Sequence, residues 1–226
     1  MEKLFVDKDI NLTKEQVDKF NKYYEMLIFY NNQFNITAIT EKEEVYKKHF
    51  IDSVLGVEKI CGKTLLDIGS GGGFPAIPLK IVKSDINLTM LEATGKKCDF
   101  LSAVKNELSL ENVTVVNGRA EEKAKDSSFR ECFDCVTARA VARLNILAEY
   151  CMPFVKVGGR FVSYKGDAVE EINEAKSAIK ELGGKIVEVK EYDLYGAKRT
   201  LVVIEKVSST NSKYPRSNGA IRKKPL

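Results

Sequence analysis

One segment of this 226-residue chain restricts its fold more than any other. Thr64-Leu65-Leu66-Asp67-Ile68 is an apolar run containing a single carboxylate, and Gly69-Ser70-Gly71-Gly72-Gly73 follows it at once. Phe74-Pro75-Ala76-Ile77-Pro78-Leu79 then opens a helix, in whose first turn a proline's missing N–H costs little. Glycines let a backbone turn sharply and come close to a ligand. A strand, a glycine turn and a helix in that order make one unit of an open α/β sheet, in which ligands lie beyond the carboxyl ends of the strands.

The remainder of the chain repeats that alternation. β-rich runs fall at Thr64–Ile68, Asn87–Leu91, Val113–Asn117, Phe133–Thr137, Arg160–Tyr164, Lys185–Tyr192 and Thr200–Lys206. Helical patterns lie between them, notably Lys96–Leu108 and Ala168–Leu182, the latter closed by Gly183-Gly184. Strand–helix alternation with right-handed crossovers predicts a mostly parallel sheet covered on both faces. Only Asp193–Arg199 separates the last two strands, too short for a crossover helix, so an antiparallel hairpin is expected at the sheet edge.

Before the sheet, Thr13-x-x-Gln16 and Thr40-x-x-Glu43 read as capping boxes. Val17, Phe20, Tyr24, Leu27 and Ile28 form one helical stripe after the first box, and Val45, Phe50, Val54 and Val57 form another after the second. The expected organisation is a helical extension over residues 1–58, an α/β core over 59–207 and a basic tail over 208–226.

With 44% hydrophobic and 30% charged residues the composition is that of a soluble globular protein. The opening Met1-Glu2-Lys3-Leu4-Phe5-Val6-Asp7 breaks into charges too early for a signal peptide, and no apolar run is long enough to span a bilayer. Five cysteines, an odd number, suit free thiols in a reducing cytoplasm. The net charge of +4 is uneven, for Lys206, Lys213, Arg216, Arg222, Lys223 and Lys224 meet no acid after position 205. The first 205 residues carry a net −2. A clustered basic segment suits a polyanion, and the plain alternative is a solvated, disordered terminus.

The glycine cluster admits two readings. A dinucleotide site of the form G-x-G-x-x-G needs a small residue at its sixth position, where close helix–strand packing is required. Phe74 stands there. The pattern Asp67-x-Gly69-x-Gly71-x-Gly73 instead resembles motif I of the class I S-adenosylmethionine-dependent methyltransferases, a Rossmann-like α/β fold with seven strands and the last antiparallel. Asp67, Gly69 and Gly71 are therefore candidate cofactor residues. Glu92, closing the second strand, could accept hydrogen bonds from two ribose hydroxyls, although both cofactor classes use an acid there.

Longer stretches resemble one family, the RsmG (glucose-inhibited division protein B) guanine-N7 methyltransferases of small-subunit ribosomal RNA. They include Phe34-Asn35-Ile36-Thr37-Ala38-Ile39, His49-Phe50-Ile51-Asp52-Ser53 and the run from Asp67 to Lys80. They continue through Gly118-Arg119-Ala120-Glu121-Glu122, Thr137-Ala138-Arg139-Ala140, Lys165-Gly166, Arg199-Thr200, Lys213-Tyr214-Pro215-Arg216 and Lys223-Lys224-Pro225-Leu226. The resemblance implies methylation of one guanine in the decoding-region loop of 16S rRNA, with S-adenosylmethionine as donor. It implies cofactor contacts at Gly69, Phe74, Glu92, Ala93, Thr94, Ala120, Glu121 and Arg139. The chain departs from the family at Ala76, where glycine is usual, at Glu92-Ala93-Thr94-Gly95-Lys96-Lys97, where the family has Asp-Ser-Leu-Asn/Gly-Lys-Arg, and at Ile221, where it has proline.

Guanine N7 carries a lone pair and no proton, so its methylation needs no general base. That suits a chain with one histidine and no evident acid–base pair. Arg139, ending the fourth strand, is the candidate catalytic residue, expected to position cofactor or base. His49 reads as packing first and chemistry second. Cys132-x-x-Cys135 reads as a pair of core cysteines rather than a metal site. Lys165 and Arg199 are either surface charges or phosphate contacts, whereas Lys213, Arg216, Lys223 and Lys224 are the stronger RNA candidates. Removing residues 207–226 is expected to weaken RNA binding and spare cofactor binding. The expected partner is 16S rRNA or a small-subunit precursor, met by a monomer without metal or membrane. The alternatives are a small-molecule methyltransferase, a non-catalytic ribosome-assembly protein and, more remotely, an NAD-dependent dehydrogenase.

Overall fold

The computed structural model describes residues 1–226. The chain begins with α1 (Glu2–Val6) and α2 (Lys14–Asn31), the latter capped by the predicted Thr13/Gln16 box. α3 (Lys42–Val45) runs on as a π-helical turn, Tyr46–Ile51, into α4 (Asp52–Val54). The second predicted capping box does not form: Glu41 stands at the N-cap and no side chain closes it. The π turn explains the odd spacing of the second stripe. Its extra residue brings Val45 and Phe50, five apart, into the same core with Val54.

Alternation begins with β1 (Thr64–Ile68), α5 (Ala76–Val82), β2 (Asn87–Glu92), α6 (Gly95–Glu107), β3 (Val113–Asn117) and α7 (Ala120–Lys123). It continues with β4 (Phe133–Arg139), α8 (Leu144–Cys151), β5 (Val155–Lys165), α9 (Val169–Glu181), β6 (Gly184–Leu194), β7 (Ala197–Lys206) and α10 (Asn218–Lys223). The seven strands lie in the order β3-β2-β1-β4-β5-β7-β6. The first five are parallel, and β7 runs antiparallel to both β5 and β6. β7 thus inserts between β5 and β6, and β6 becomes the edge strand.

Side chains alternate across the sheet with period two, as a strand requires. Leu65, Met90, Val162 and Leu201 enter one apolar layer with α1, α2, the π turn and α6. Leu66, Leu91, Phe161 and Val202 enter the other with α8, α9 and Ile221 of α10. The N-terminal helices are fixed by an aromatic cluster. Phe5 lies 5.0 Å from Phe20, Phe20 5.1 Å from Phe50, Tyr23 5.0 Å from Phe50 and 5.6 Å from Phe74. Tyr23, rather than the predicted Tyr24, is the fully buried member of that stripe.

Residues 208–226, expected as a solvated basic tail, fold back onto the core. Tyr214 and Ile221 are buried, and the Arg130 guanidinium donates to the carbonyls of Thr210, Asn211 and Tyr214. Lys206, counted above with the tail charges, is fully buried between Glu131 at 3.1 Å and Thr210 Oγ1 at 2.6 Å. Cys135 lies in the core as predicted, whereas Cys132 is only half-buried. No helix is long and apolar enough to cross a membrane.

Candidate active site

The glycine segment turns at the carboxyl end of β1. Gly69, Gly71 and Gly73 all have positive φ. At Gly73 a Cβ would lie 2.6 Å from the Tyr23 hydroxyl, so neither the turn nor the packing admits a side chain. Tyr23 in turn donates its buried hydroxyl to the Gly72 carbonyl, tying the loop to α2. Gly69 N–H donates to the Leu91 carbonyl at 2.8 Å. Glu92 accepts from Gly71 N–H at 2.9 Å and from Thr94 N–H at 2.8 Å, one bond on each oxygen. A carboxylate has about four acceptor sites, so Glu92 retains capacity for hydroxyl donors.

Asp67 lies beneath this loop with no exposed surface. Its Oδ1 accepts from Thr137 Oγ1 at 2.8 Å and its Oδ2 has no partner. Burial pushes its carboxyl up to about 7, with Glu92 adding to the rise and the Ser70 and Thr137 hydroxyls opposing it. Phe74, which spoiled the dinucleotide pattern, packs toward the N-terminal helices instead of the sheet. His49 stacks on it at 4.4 Å.

Three cavities follow one another along the carboxyl edge of the sheet. The first, about 170 Å³, has Ile68, Gly69, Leu91 and Ala93 on one side, Gly118, Ala120 and Glu121 on another, and Tyr150, Asn218 and Arg222 closing it. The second, about 240 Å³, is lined by Thr37, His49, Gly69 to Gly72, Phe74, Lys97 and Arg139. The third, also about 240 Å³, is lined by Asp52, Arg139, Tyr164, Lys165 and Arg199. Gly69 is common to the first two, and Arg139 and Ala140 to the last two. Ala140 has φ of +56°, a strained conformation for a residue with a Cβ, and it stands at this junction.

Arg139 is held by the N-terminal helices rather than by the sheet that carries it. Its guanidinium lies 3.2 Å from Asp52 Oδ2 and donates to the Lys48 carbonyl at 2.6 Å. It also lies 3.0 Å from His49 Nδ1. The same His49 Nδ1 is 3.1 Å from the Lys48 carbonyl, and Nε2 lies 2.9 Å from Thr37 Oγ1. Burial and then the Arg139 charge lower the His49 pKa to about 3, so the ring is neutral. His49 therefore packs against Phe74 beside the Arg139 guanidinium. Asp52 also accepts from the Tyr192 hydroxyl at 2.9 Å and lies 3.5 Å from Arg199 Nε. One buried carboxylate thus joins the two arginines of the third cavity.

The sequence-predicted residues divide accordingly. Gly69, Phe74, Ala93, Ala120, Glu121 and Arg139 line the cavities. Asp67 lines none of them, and Glu92 and Thr94 brace the loop from its side. Lys165 faces the third cavity but is bound to Glu171 at 2.7 Å and to the Ala142 carbonyl at 2.5 Å. Arg216 is spent on buried Glu149 at 2.6 Å, and Lys213 pairs with Glu181 at 3.1 Å. Lys223 and Lys224 are exposed. Within residues 207–226, Asn218 and Arg222 line the first cavity. Thr37 and Asp52 were missed as site residues although both lie in family-matching stretches. Tyr150 and Asn218 carried no sequence signal at all.

Strand order, glycine turn and a cleft beyond the strand ends define a class I methyltransferase. Solved structures share that fold, among them precorrin-6y C5,15-methyltransferase from Geobacter metallireducens, with a TM-score of 0.55, 16% identity and 77% of this chain and 95% of that chain covered. TYW2 of M. jannaschii, solved in complex with AdoMet, matches with a TM-score of 0.52 and 14% identity over 69% of this chain and 76% of that one. The family model described as GidB, rRNA small subunit methyltransferase G, matches residues 16–202. Ribosomal RNA small subunit methyltransferase G of Lactococcus lactis subsp. cremoris is 45% identical over 97% of this chain and 95% of that protein. The protein of the same name from Clostridium beijerinckii is 43% identical over 100% and 97%. The chain belongs to this family of rRNA methyltransferases.

Proposed function

We propose that the protein transfers the methyl group of S-adenosylmethionine to N7 of one guanine in 16S rRNA. The observation that carries this reading is the row of three cavities joined through Gly69 and Arg139. It leads from a partly apolar cleft that includes Glu121 to a pocket lined by Arg139, Lys165, Arg199 and the Asp52 carboxylate. The residues present fit the cofactor. Ile68, Leu91 and Val141 offer apolar walls for a planar base, and Glu121 in that cavity and Glu92 beside the loop offer acceptors.

The cofactor brings an electrophilic methyl and its own leaving group, which leaves the chain the tasks of orientation and of excluding water. Gly69 and Gly71 to Gly73 bring no side chain to the loop where a ligand approaches, and the Ser70 hydroxyl donates back to the Asp67 carbonyl. Phe74 and His49, stacked on each other, wall the second cavity. Arg139, fixed by Asp52 and the Lys48 carbonyl, faces both the second and third cavities and positions the guanine beside the methyl donor. Arg199 and Lys165 set the positive edge of the third cavity against the RNA backbone. An unpaired base in an RNA loop can be extruded into such a pocket at modest cost.

Labelled methyl transfer to unmethylated small-subunit RNA and to small-subunit particles, with the modified nucleoside identified, tests this reading. 7-Methylguanosine is expected. Cofactor binding without transfer to any RNA would favour a non-catalytic assembly role instead.

A further inference from the structure

From the structure we infer that α10 is a working wall of the cofactor cleft and that Asn218 and Arg222 contact the adenine end of S-adenosylmethionine. The inference rests on the cofactor reading given above. α10 follows the rRNA-contact candidates Lys213 and Arg216 in sequence and ends on Lys223, yet its Asn218 and Arg222 line the first cavity together with Ala93, Ala120 and Glu121. Its position is fixed at several points. Ser217 caps it by accepting from Ala220 N–H, Ile221 is fully buried in the layer behind it, and the Arg216–Glu149 pair holds its entry.

The two side chains that line the cavity are arranged together. Asn218 Oδ1 accepts from the Tyr150 hydroxyl at 2.5 Å and from Arg222 Nε at 3.1 Å. With its oxygen engaged twice, the Asn218 amide turns its N–H₂ group away from Tyr150 and Arg222, and those donors have no protein acceptor. Arg222 is exposed at the cavity rim, and its one hydrogen bond within the protein is from Nε to Asn218, so its terminal nitrogens remain available to a ligand. A cleft that holds spare donors, a guanidinium plane and apolar walls matches a flat heterocycle whose ring nitrogens accept hydrogen bonds. Glu121, which lines the same cavity, supplies the complementary acceptor for an exocyclic amine. The cleft is therefore completed by the last elements of the chain. The segment expected to touch only RNA also sets cofactor affinity.

The test is calorimetric titration of the full chain and of the variants Asn218→Ala, Arg222→Ala and their combination. The probes are S-adenosylhomocysteine and 5′-methylthioadenosine, which lacks the amino-acid end. The combined variant is expected to bind both probes about tenfold more weakly, by a similar factor for each, while its melting midpoint stays within about 2 °C of the parent's. Arg222→Lys keeps the charge and loses the planar fork, and it is expected to recover only part of the affinity. Affinities within about twofold of the parent overturn the inference. So does a loss for S-adenosylhomocysteine that methylthioadenosine does not share, since the contact would then lie at the other end of the cofactor. If the parent binds neither probe, the cofactor reading falls and the inference falls with it.

Discussion

Arg216→Ala distinguishes a docked C-terminal segment from a free basic tail. Glu149 sits in α8 with a side chain only 1% exposed. It accepts from the backbone N–H of residue 216 at 2.8 Å, and from the guanidinium through Nε at 2.9 and 3.2 Å and Nη2 at 2.6 Å. The variant keeps the backbone bond and deletes the rest, which leaves a buried carboxylate short of donors and of countercharge. Breaking a buried pair by removing one partner costs about 3–5 kcal/mol. The Arg216 side chain is 26% exposed, so water reaches the vacated space and the lower figure of about 3 kcal/mol applies. At about 2–4 °C per kcal/mol for a chain of this size, the melting midpoint should fall by about 6–12 °C in scanning calorimetry. Adding Glu149→Gln removes the stranded charge and should restore at least about half of that loss. A midpoint within about 2 °C of the parent's, together with weaker RNA binding, would refute the argument. Arg216 would then be a cation facing RNA, as its place in a basic sequence first suggests.

Other predictions concern the glycine loop and its neighbours. Asp67 has a carboxyl near 7 in the folded chain against about 3.9 unfolded, so between those values the native state holds a proton that the unfolded chain has released. Stability from this group is greatest below about pH 4 and declines as pH rises toward 7. Asp67→Asn should flatten that decline, and parallel midpoint profiles of parent and variant between those pH values would contradict the assignment. Tyr23→Phe removes the only hydroxyl donated to the Gly72 carbonyl and should cost about 1–2 kcal/mol in denaturant unfolding, with a few-fold loss of cofactor affinity. An unchanged unfolding midpoint would show that the loop does not depend on α2. Arg139→Lys keeps a charge but cannot span Asp52, the Lys48 carbonyl and His49 at once, so turnover should fall at least about tenfold. Full cofactor affinity with normal turnover would remove Arg139 from the mechanism.

Much of the sheet could be read from residues because its signals are local. The run Thr64–Ile68 is bounded by glycine, and Asp193–Arg199 is too short for a helix, so strand identity and the final hairpin follow from spacing alone. The π turn could not be read in this way. Val45 and Phe50 are five apart, a spacing that fits neither helical nor strand period, and only the aromatic contacts around Phe50 reveal why both are buried. Thr40 fits a capping box by pattern, yet the chain enters α3 one residue later, at Glu41. The site showed the same division. Gly69 and Phe74 lie in one contiguous motif, and both line the second cavity. Asp52 depends on partners 87 and 147 positions away, in Arg139 and Arg199, and no local pattern announces them. The basic tail misled for the corresponding reason. Charge counting sees Arg216 as free, because Glu149 is 67 positions distant and its burial is a property of the fold.

The central claim is that this chain places one methyl group on guanine N7 in small-subunit rRNA. Methylation at N7 leaves a positively charged imidazole ring, and borohydride reduction followed by aniline breaks the strand at such a nucleotide. Unmethylated small-subunit particles should be incubated with the protein and S-adenosylmethionine, and the extracted RNA treated in this way and mapped by primer extension. The account predicts one new break, at a guanine, which is lost when cofactor is withheld or when Arg139→Ala replaces the parent. Labelled methyl entering the RNA with no new break at any guanine would contradict it.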